Sequence, residues 1–253
     1  MLLVLAGVSF GSQSDAARRS PASGFFDDFK TIDTRRWYIS DGWANGSYQN
    51  CTWTRNNLRA RGGILQLRLT RERNPLREYR CAEIRSHAAL GYGVYEARMR
   101  SAAGSGLNSA MFTYSGKPMT PIHDEIDFEI LGRNPQIVQL NYFVKGRGEH
   151  GQNVTVGNDS SRGFNTYAFE WRPGSVKWFI NGRLVRSVSA PDMPTTPGQF
   201  FFSLWGGSPS KADWLGRFDS TATPAVAEID WAAYTPLGRR CLFPQSITCQ
   251  ATR

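Results

Sequence analysis

Within Pro121-Ile122-His123-Asp124-Glu125-Ile126-Asp127-Phe128-Glu129-Ile130-Leu131-Gly132, acidic and apolar residues alternate strictly from Glu125 to Ile130. Period-two alternation marks a strand, whose successive side chains point to opposite faces. Glu125, Asp127 and Glu129 then share one face, and Ile126, Phe128 and Ile130 share the other, which can enter a core. Three neighbouring carboxylates repel one another and add nothing to stability. A solvated acidic face and an oxygen-rich calcium site are the plainer readings. A third is glycoside hydrolysis, which uses one ionised carboxylate and one protonated carboxylic acid across a sugar bond. Crowding like charges raises the pKa of at least one member and keeps a proton available near neutral pH.

The surrounding sequence narrows the choice. The chain has 253 residues, 40% of them hydrophobic, with 8 Trp and a net charge of +9. That length suits one large domain, and all-β domains of this size are common. The basic balance points to an anionic partner, but no Lys/Arg run is present, so a nucleic-acid partner is not expected. No apolar run reaches the roughly 18–20 residues of a membrane span. Leu2–Phe10 forms a short apolar core followed by small and polar residues, which predicts an export signal and linker over residues 1–23 and a secreted product, although the basic segment that usually precedes such a core is missing. Four cysteines, Cys51, Cys81, Cys241 and Cys249, fit an oxidising compartment as two disulfides with three possible connectivities. No zinc-type Cys/His cluster exists. His87, His123 and His150 are scattered and read as surface or supporting residues.

Downstream of Phe25 the pattern is one of short strands and turns. Ile64–Thr70 and Tyr92–Met99 alternate cleanly; 108–114, 136–144 and 167–171 read as further strands, and 227–234 as the last. Asn181-Gly182 is a two-residue hairpin signal. With no long amphipathic helix, the expected class is an all-β sandwich or jelly roll. Gly91-Tyr92-Gly93 lacks the third glycine of a dinucleotide loop, and no G-x-S-x-G nucleophile elbow or phosphate loop occurs.

The string from His123 to Gly132 resembles the active-site strand of glycoside hydrolase family 16, in particular its bacterial lichenase-like branch. Further motifs follow in the family order over roughly residues 25–236: 41–46 with 50–53, 81–86, 91–96, 112–114, 138–143, 203–206 and 213–216. The resemblance implies a β-sandwich jelly roll with a concave glycan-binding cleft, spanning residues 24–236, with a tail over 237–253. It implies Glu125 as nucleophile, Glu129 as acid/base and Asp127 as their helper in a retaining endo-β-glucanase. A retaining pair needs carboxyl groups about 5–5.5 Å apart, whereas Cα atoms four apart on a strand are roughly 13 Å apart. The two side chains must therefore lean together over Asp127. Trp43, Phe112, Tyr114, Phe143, Trp205 and Trp214 are expected as sugar platforms, and Asn45, Glu83, Arg85 and Asn141 as hydrogen-bonding partners.

The resemblance also implies a Cys51–Cys81 bridge, tying the Trp43 loop to the strand of Glu83 and Arg85, and leaves Cys241–Cys249 to close a loop in the tail. It maps a structural calcium ion to the Asp230 carboxylate and the Gly63 carbonyl; no other cofactor is expected. Two positions depart from lichenases: Ser203, commonly Asn there, and Phe143, commonly Tyr. Both remove polar contacts. The segments 40–53 and 104–110 and the tail instead resemble bacterial endoglycanases that depolymerise succinoglycan, an acidic exopolysaccharide, which the +9 charge suits. The expected protein is a monomer acting on such a polymer. A lichenase, a transglycosylase and a non-catalytic glycan-binding module are the alternatives.

Overall fold

A computed structural model of the chain describes residues 23–250. The expected export signal lies outside the described residues. Strands β1 (Phe25–Asp27), β2 (Trp37–Ile39), β3 (Cys51–Trp53), β4 (Leu58–Arg61), β5 (Ile64–Arg71), β6 (Tyr79–Ser86), β7 (Gly93–Arg100) and β8 (Leu107–Tyr114) make up the first half. The second half holds β9 (Glu125–Leu131), β10 (Ile137–Phe143), β11 (Gln152–Thr155), β12 (Asn165–Arg172), β13 (Ser175–Ile180), β14 (Arg183–Ser189), β15 (Gln199–Gly206) and β16 (Ala225–Pro236). The α-helices, α1 (Ala212–Leu215) and α2 (Ile247–Gln250), are single turns. Among the described residues no helix is long and apolar enough to cross a membrane.

The strands form the two layers of a jelly roll. One layer runs β11-β10-β9-β8-β15-β6, with β2 on the free side of β6; the other runs β4-β5-β16-β7-β12-β13-β14. β6 joins them, since Tyr79 and Arg80 pair with β5 while Ala82–Arg85 pairs with β15. The period-two pattern explains the packing. Ile126, Phe128 and Ile130 are 1% exposed or less, and the Phe128 ring meets Tyr167 and Phe169 of β12. Trp178 of β13 donates its indole N–H to the Asp127 carbonyl at 3.2 Å, locking β9 to the opposite layer from behind. Asn181-Gly182 forms the expected hairpin turn with φ of 51° and 77°, both in the left-handed region that such a turn demands. Gly132 ends the acidic strand where any side chain would collide: a Cβ would lie 2.5 Å from the Gly104 carbonyl oxygen.

The cysteines pair as Cys51–Cys81 and Cys241–Cys249. The first bridge fixes the loop before β3 to β6, and the second staples the tail. That tail folds back over the outer face of β7, where Ser246 Oγ and the Ile247 amide donate to the two oxygens of buried Glu96 at 2.6 and 2.8 Å. Removing the first bridge with Cys51→Ala/Cys81→Ala frees a loop spanning a separation of 30 residues. Loss of about 3–4 kcal/mol is expected from the chain entropy released in the unfolded state. Thermal unfolding checks this: a melting point lowered by roughly 10 °C is expected, and an unchanged one contradicts it.

Candidate active site

Strand register assembles the site from residues far apart in sequence. Across from Glu125 stand Phe143 of β10 and Tyr114 of β8; across from Asp127 stand Asn141 and Phe112; across from Glu129 stand Gln139 and Ala110. β15 extends two of these rows, placing Phe201 beside Phe112 and Ser203 beside Ala110, and β6 adds Arg85 and Glu83. One face of five strands thus carries a continuous band of acids, amides and aromatic rings. On this band Asn108 Oδ1, Tyr114 OH, Asp127 Oδ1 and Asn141 Oδ1 are buried without a protein partner. Such atoms are rare in proteins, and a sugar's hydroxyl rim would satisfy them.

The three carboxyls have different surroundings. Burial, and next the charge of Glu125, push Glu129 from an ordinary 4.5 up to about 8, against a hydrogen bond from Asn108 Nδ2 at 3.2 Å. Burial and the charges of Glu125 and Glu129 hold Asp127 well above the carboxylate range, and it shares a hydrogen bond with Glu125. A protonated Asp127 is therefore the donor to Glu125. Glu125 also meets His123 Nε2 at 2.7 Å, while His123 Nδ1 accepts the Met119 amide at 3.2 Å. That amide can only donate, so Nδ1 carries no proton and the N–H of the neutral ring points at Glu125. His123 is 2% exposed and lies against Phe143 and Tyr114, with centroids at 4.9 and 4.7 Å. Asp124, next in sequence, has the opposite fate: although burial pushes it upward, the Lys145, Thr195 and Thr196 amides hold it below its ordinary value. It anchors the strand's start.

The flanks complete the cleft. At the Glu129 end, Trp214 donates to Gln139 Oε1 at 2.8 Å and lies 6.1 Å from Trp205, which meets Tyr48. Lys211 stands over Tyr48 and Trp214. At the far edge, burial pushes Glu83 up to about 7, partly offset by Ser40 Oγ donating at 2.6 Å. Arg85 stacks over Tyr38 at 4.3 Å. The Ser40–Glu83 contacts pin the loop that carries Trp43, 40% exposed, and Asn45.

The profile of glycosyl hydrolases family 16 matches residues 45–233, the span that builds this cleft. The chain belongs to that family. This family 16 chain is 43% identical to an endo-1,3-1,4-beta-glycanase, ExoK, of Rhizobium meliloti, over 90% of its own length and 85% of that protein. It is 40% identical to a beta-glucanase of Paenibacillus macerans, covering 84% and 88% of the two chains. Among solved structures, a lichenase derived from a mouse hindgut metagenome superposes with a TM-score of 0.80 at 35% identity, over 85% of this chain and all of that one. The Bacillus licheniformis beta-glucanase gives 0.77 at 37%, over 85% and 98%. The chain is a glycoside hydrolase with the jelly-roll fold of these enzymes.

Register brings Glu125, Asp127, Glu129, Glu83, Arg85, Phe112, Tyr114, Asn141, Phe143 and Trp205 onto one face, with Trp214 at its end and the Trp43 and Asn45 loop at its edge. Sequence reasoning missed Asn108, Gln139 and Phe201. Each is in phase with a residue it did select, namely Phe112, Asn141 and Trp205, so alternation was the available signal. Phe112 stacks on Phe201 at 4.7 Å and 15° between ring planes, so the pair forms a joint platform. Asp230 and Gly63 lie apart, on the other layer. Asp230 accepts from Arg98, and Leu65 pairs with Ile229, which brings the Gly63 turn alongside. Among the described residues no group of three acidic, His or Cys side chains could hold a metal. Calcium here would rest on one carboxylate shared with Arg98 and on main-chain carbonyls, donors that suit it in kind.

Above pH 4.5 the unfolded chain loses the Glu129 proton, while the folded chain keeps it to about pH 8. Stability from this group is complete below pH 4.5, is lost as pH rises through that window, and is level beyond it. Glu129→Gln should therefore gain on the parent from pH 5 to pH 9, by on the order of 2–4 kcal/mol. Denaturant unfolding across that range measures it; parallel curves would mean that Glu129 titrates as an ordinary carboxyl.

Proposed function

We propose that the chain is an exported, monomeric, retaining endo-β-1,3-1,4-glycanase acting on an acidic bacterial exopolysaccharide such as succinoglycan. The observation that carries the chemistry is the pairing of a protonated Glu129 with a Glu125 fixed by two N–H and O–H donors on the same strand face. Glu129 gives its proton to the glycosidic oxygen as Glu125 attacks the anomeric carbon, so the leaving sugar departs as an alcohol and a glycosyl ester forms. Glu129, now ionised, takes a proton from water; the hydroxide displaces Glu125 and restores both groups. The donors from His123 and Asp127 ease departure of Glu125 in this second step. Two disulfides accord with an oxidising compartment.

Glu125→Gln and Glu129→Gln should each lower kcat on an unactivated glycan by about 10³-fold or more, and Asp127→Asn should impair less. His123→Ala should cost about tenfold, with His123→Gln retaining most activity because it keeps an N–H donor. Activity of the parent should fall above about pH 8, where Glu129 loses its proton. NMR of the first-formed product should show retained anomeric configuration, and azide should rescue Glu125→Ala as the α-glycosyl azide; inversion would end the double-displacement reading.

Substrate charge rests on +9 overall and on Arg85 and Lys211 standing over aromatic rings in the cleft. The lichenase superposition favours a second reading, hydrolysis of neutral mixed-linkage β-glucan. Initial rates on both polymers separate them. The first reading expects faster turnover of the acidic polymer, falling as salt screens the field; equal or faster turnover of lichenan without salt dependence supports the second. A calcium ion at Asp230 and Gly63 is also proposed. Millimolar calcium should raise the melting point and a chelator reverse it, whereas an unmoved melting point leaves Asp230 to Arg98.

A further inference from the structure

Away from the cleft, the tail walls a hollow of about 650 Å³ on the outer face of the other layer. That volume falls within the roughly 300–1,000 Å³ of small-ligand sites. Its floor is set by register: Thr235 of β16 pairs with Val94 of β7, which pairs with Glu170 of β12, and Phe179 of β13 adjoins them. The wall is Leu237–Arg240 with Ile247 and Thr248. The hold on this wall is strong, because Glu96 is fully buried beneath it and accepts from both Ser246 and Ile247, and the Cys241–Cys249 bridge closes the segment.

The lining is charged in one sense. Arg172, Arg239 and Arg240 face the hollow against one acid, Glu170. Glu170 is engaged by Arg172 at 2.6 Å, which leaves the other two guanidiniums for an outside anion. Thr235, fully buried at the floor, has an Oγ1 with no protein partner. Phe179 supplies an apolar ring of the kind on which a pyranose face packs. A guanidinium matches a carboxylate in a bidentate way that a neutral sugar cannot reward.

We propose that this tail-walled hollow is a second glycan site, binding a carboxylate-bearing stretch of the polymer through Arg239 and Arg240 while the cleft holds another. The inference rests on the reading of an acidic substrate, and it makes the tail a second grip on the chain being cut.

The test is an NMR titration of ¹⁵N-labelled Glu125→Gln protein with a glucuronate-containing tetrasaccharide, with cellotetraose and sodium acetate as controls. The amides of Gly93, Gly182 and Gly238, all at the hollow, should shift saturably with the acidic sugar alone. Arg239→Gln/Arg240→Gln should weaken that response at least about fivefold, leave the Asn108 and Asn141 shifts intact, and, in the active background, hydrolyse a short neutral substrate at the parental rate. Silent glycine amides, equal shifts with cellotetraose, or equal shifts with acetate would each overturn the proposal. The polymer assay stands separately: cleavage of the acidic polymer with silent glycines removes this site alone, whereas responsive glycines with no such cleavage overturn the substrate reading and with it the second grip, leaving an acidic-sugar site that takes no part in cutting.

Discussion

Like-charge crowding on β9 is the constraint that the rest of this molecule answers. Two unit charges 4 Å apart repel by about 4 kcal/mol at an effective dielectric of 20, and the strand carries three carboxyls in phase. Protonation relieves the repulsion. Burial and neighbouring charge keep Glu129 and Asp127 in the acid form near neutral pH, while Glu125 receives donors from His123 and Asp127. The arrangement is unfavourable for stability and favourable for chemistry, a trade common where a site needs both an acid and a nucleophile.

Such a strand persists only if its other face is overdetermined. Ile126, Phe128 and Ile130 fill the core, and the Trp178 indole reaches through to the Asp127 carbonyl. Asp124 spends its carboxylate on three amides from two loops, which fixes where β9 begins. Neighbouring strands then present Asn108, Asn141 and Tyr114 with unpartnered buried atoms toward the same space. Rigid support behind and unsatisfied polar groups in front are what a site built to bind a polar polymer requires.

Local periodicity made the strands and the acidic face legible, since alternation is a property of a few consecutive residues. The Asn181-Gly182 turn was readable for the same reason. Pairing partners were not: alternation puts Gln139, Phe201 and Asn108 in phase with selected residues of their own strands, but which strands stand beside them is set by contacts across β8, β10 and β15. His123 was read only as a surface or supporting residue, because it precedes the alternating run and its ring is oriented by the Met119 amide in the preceding turn. The grip of Ser246 on Glu96 spans 150 residues, beyond any local pattern. The cysteine pairing was open on the residues alone and followed only from the family resemblance.

The central claim is that Glu129 holds its proton near neutral pH through burial and through the charge of Glu125. Carbon-13 NMR of the Glu129 side-chain carboxyl, followed from pH 3 to pH 10, tests it most directly. The account predicts a midpoint near 8 that moves down in Glu125→Gln but stays above 4.5, since burial remains. A midpoint near 4.5, or one indifferent to the loss of the Glu125 charge, would contradict it.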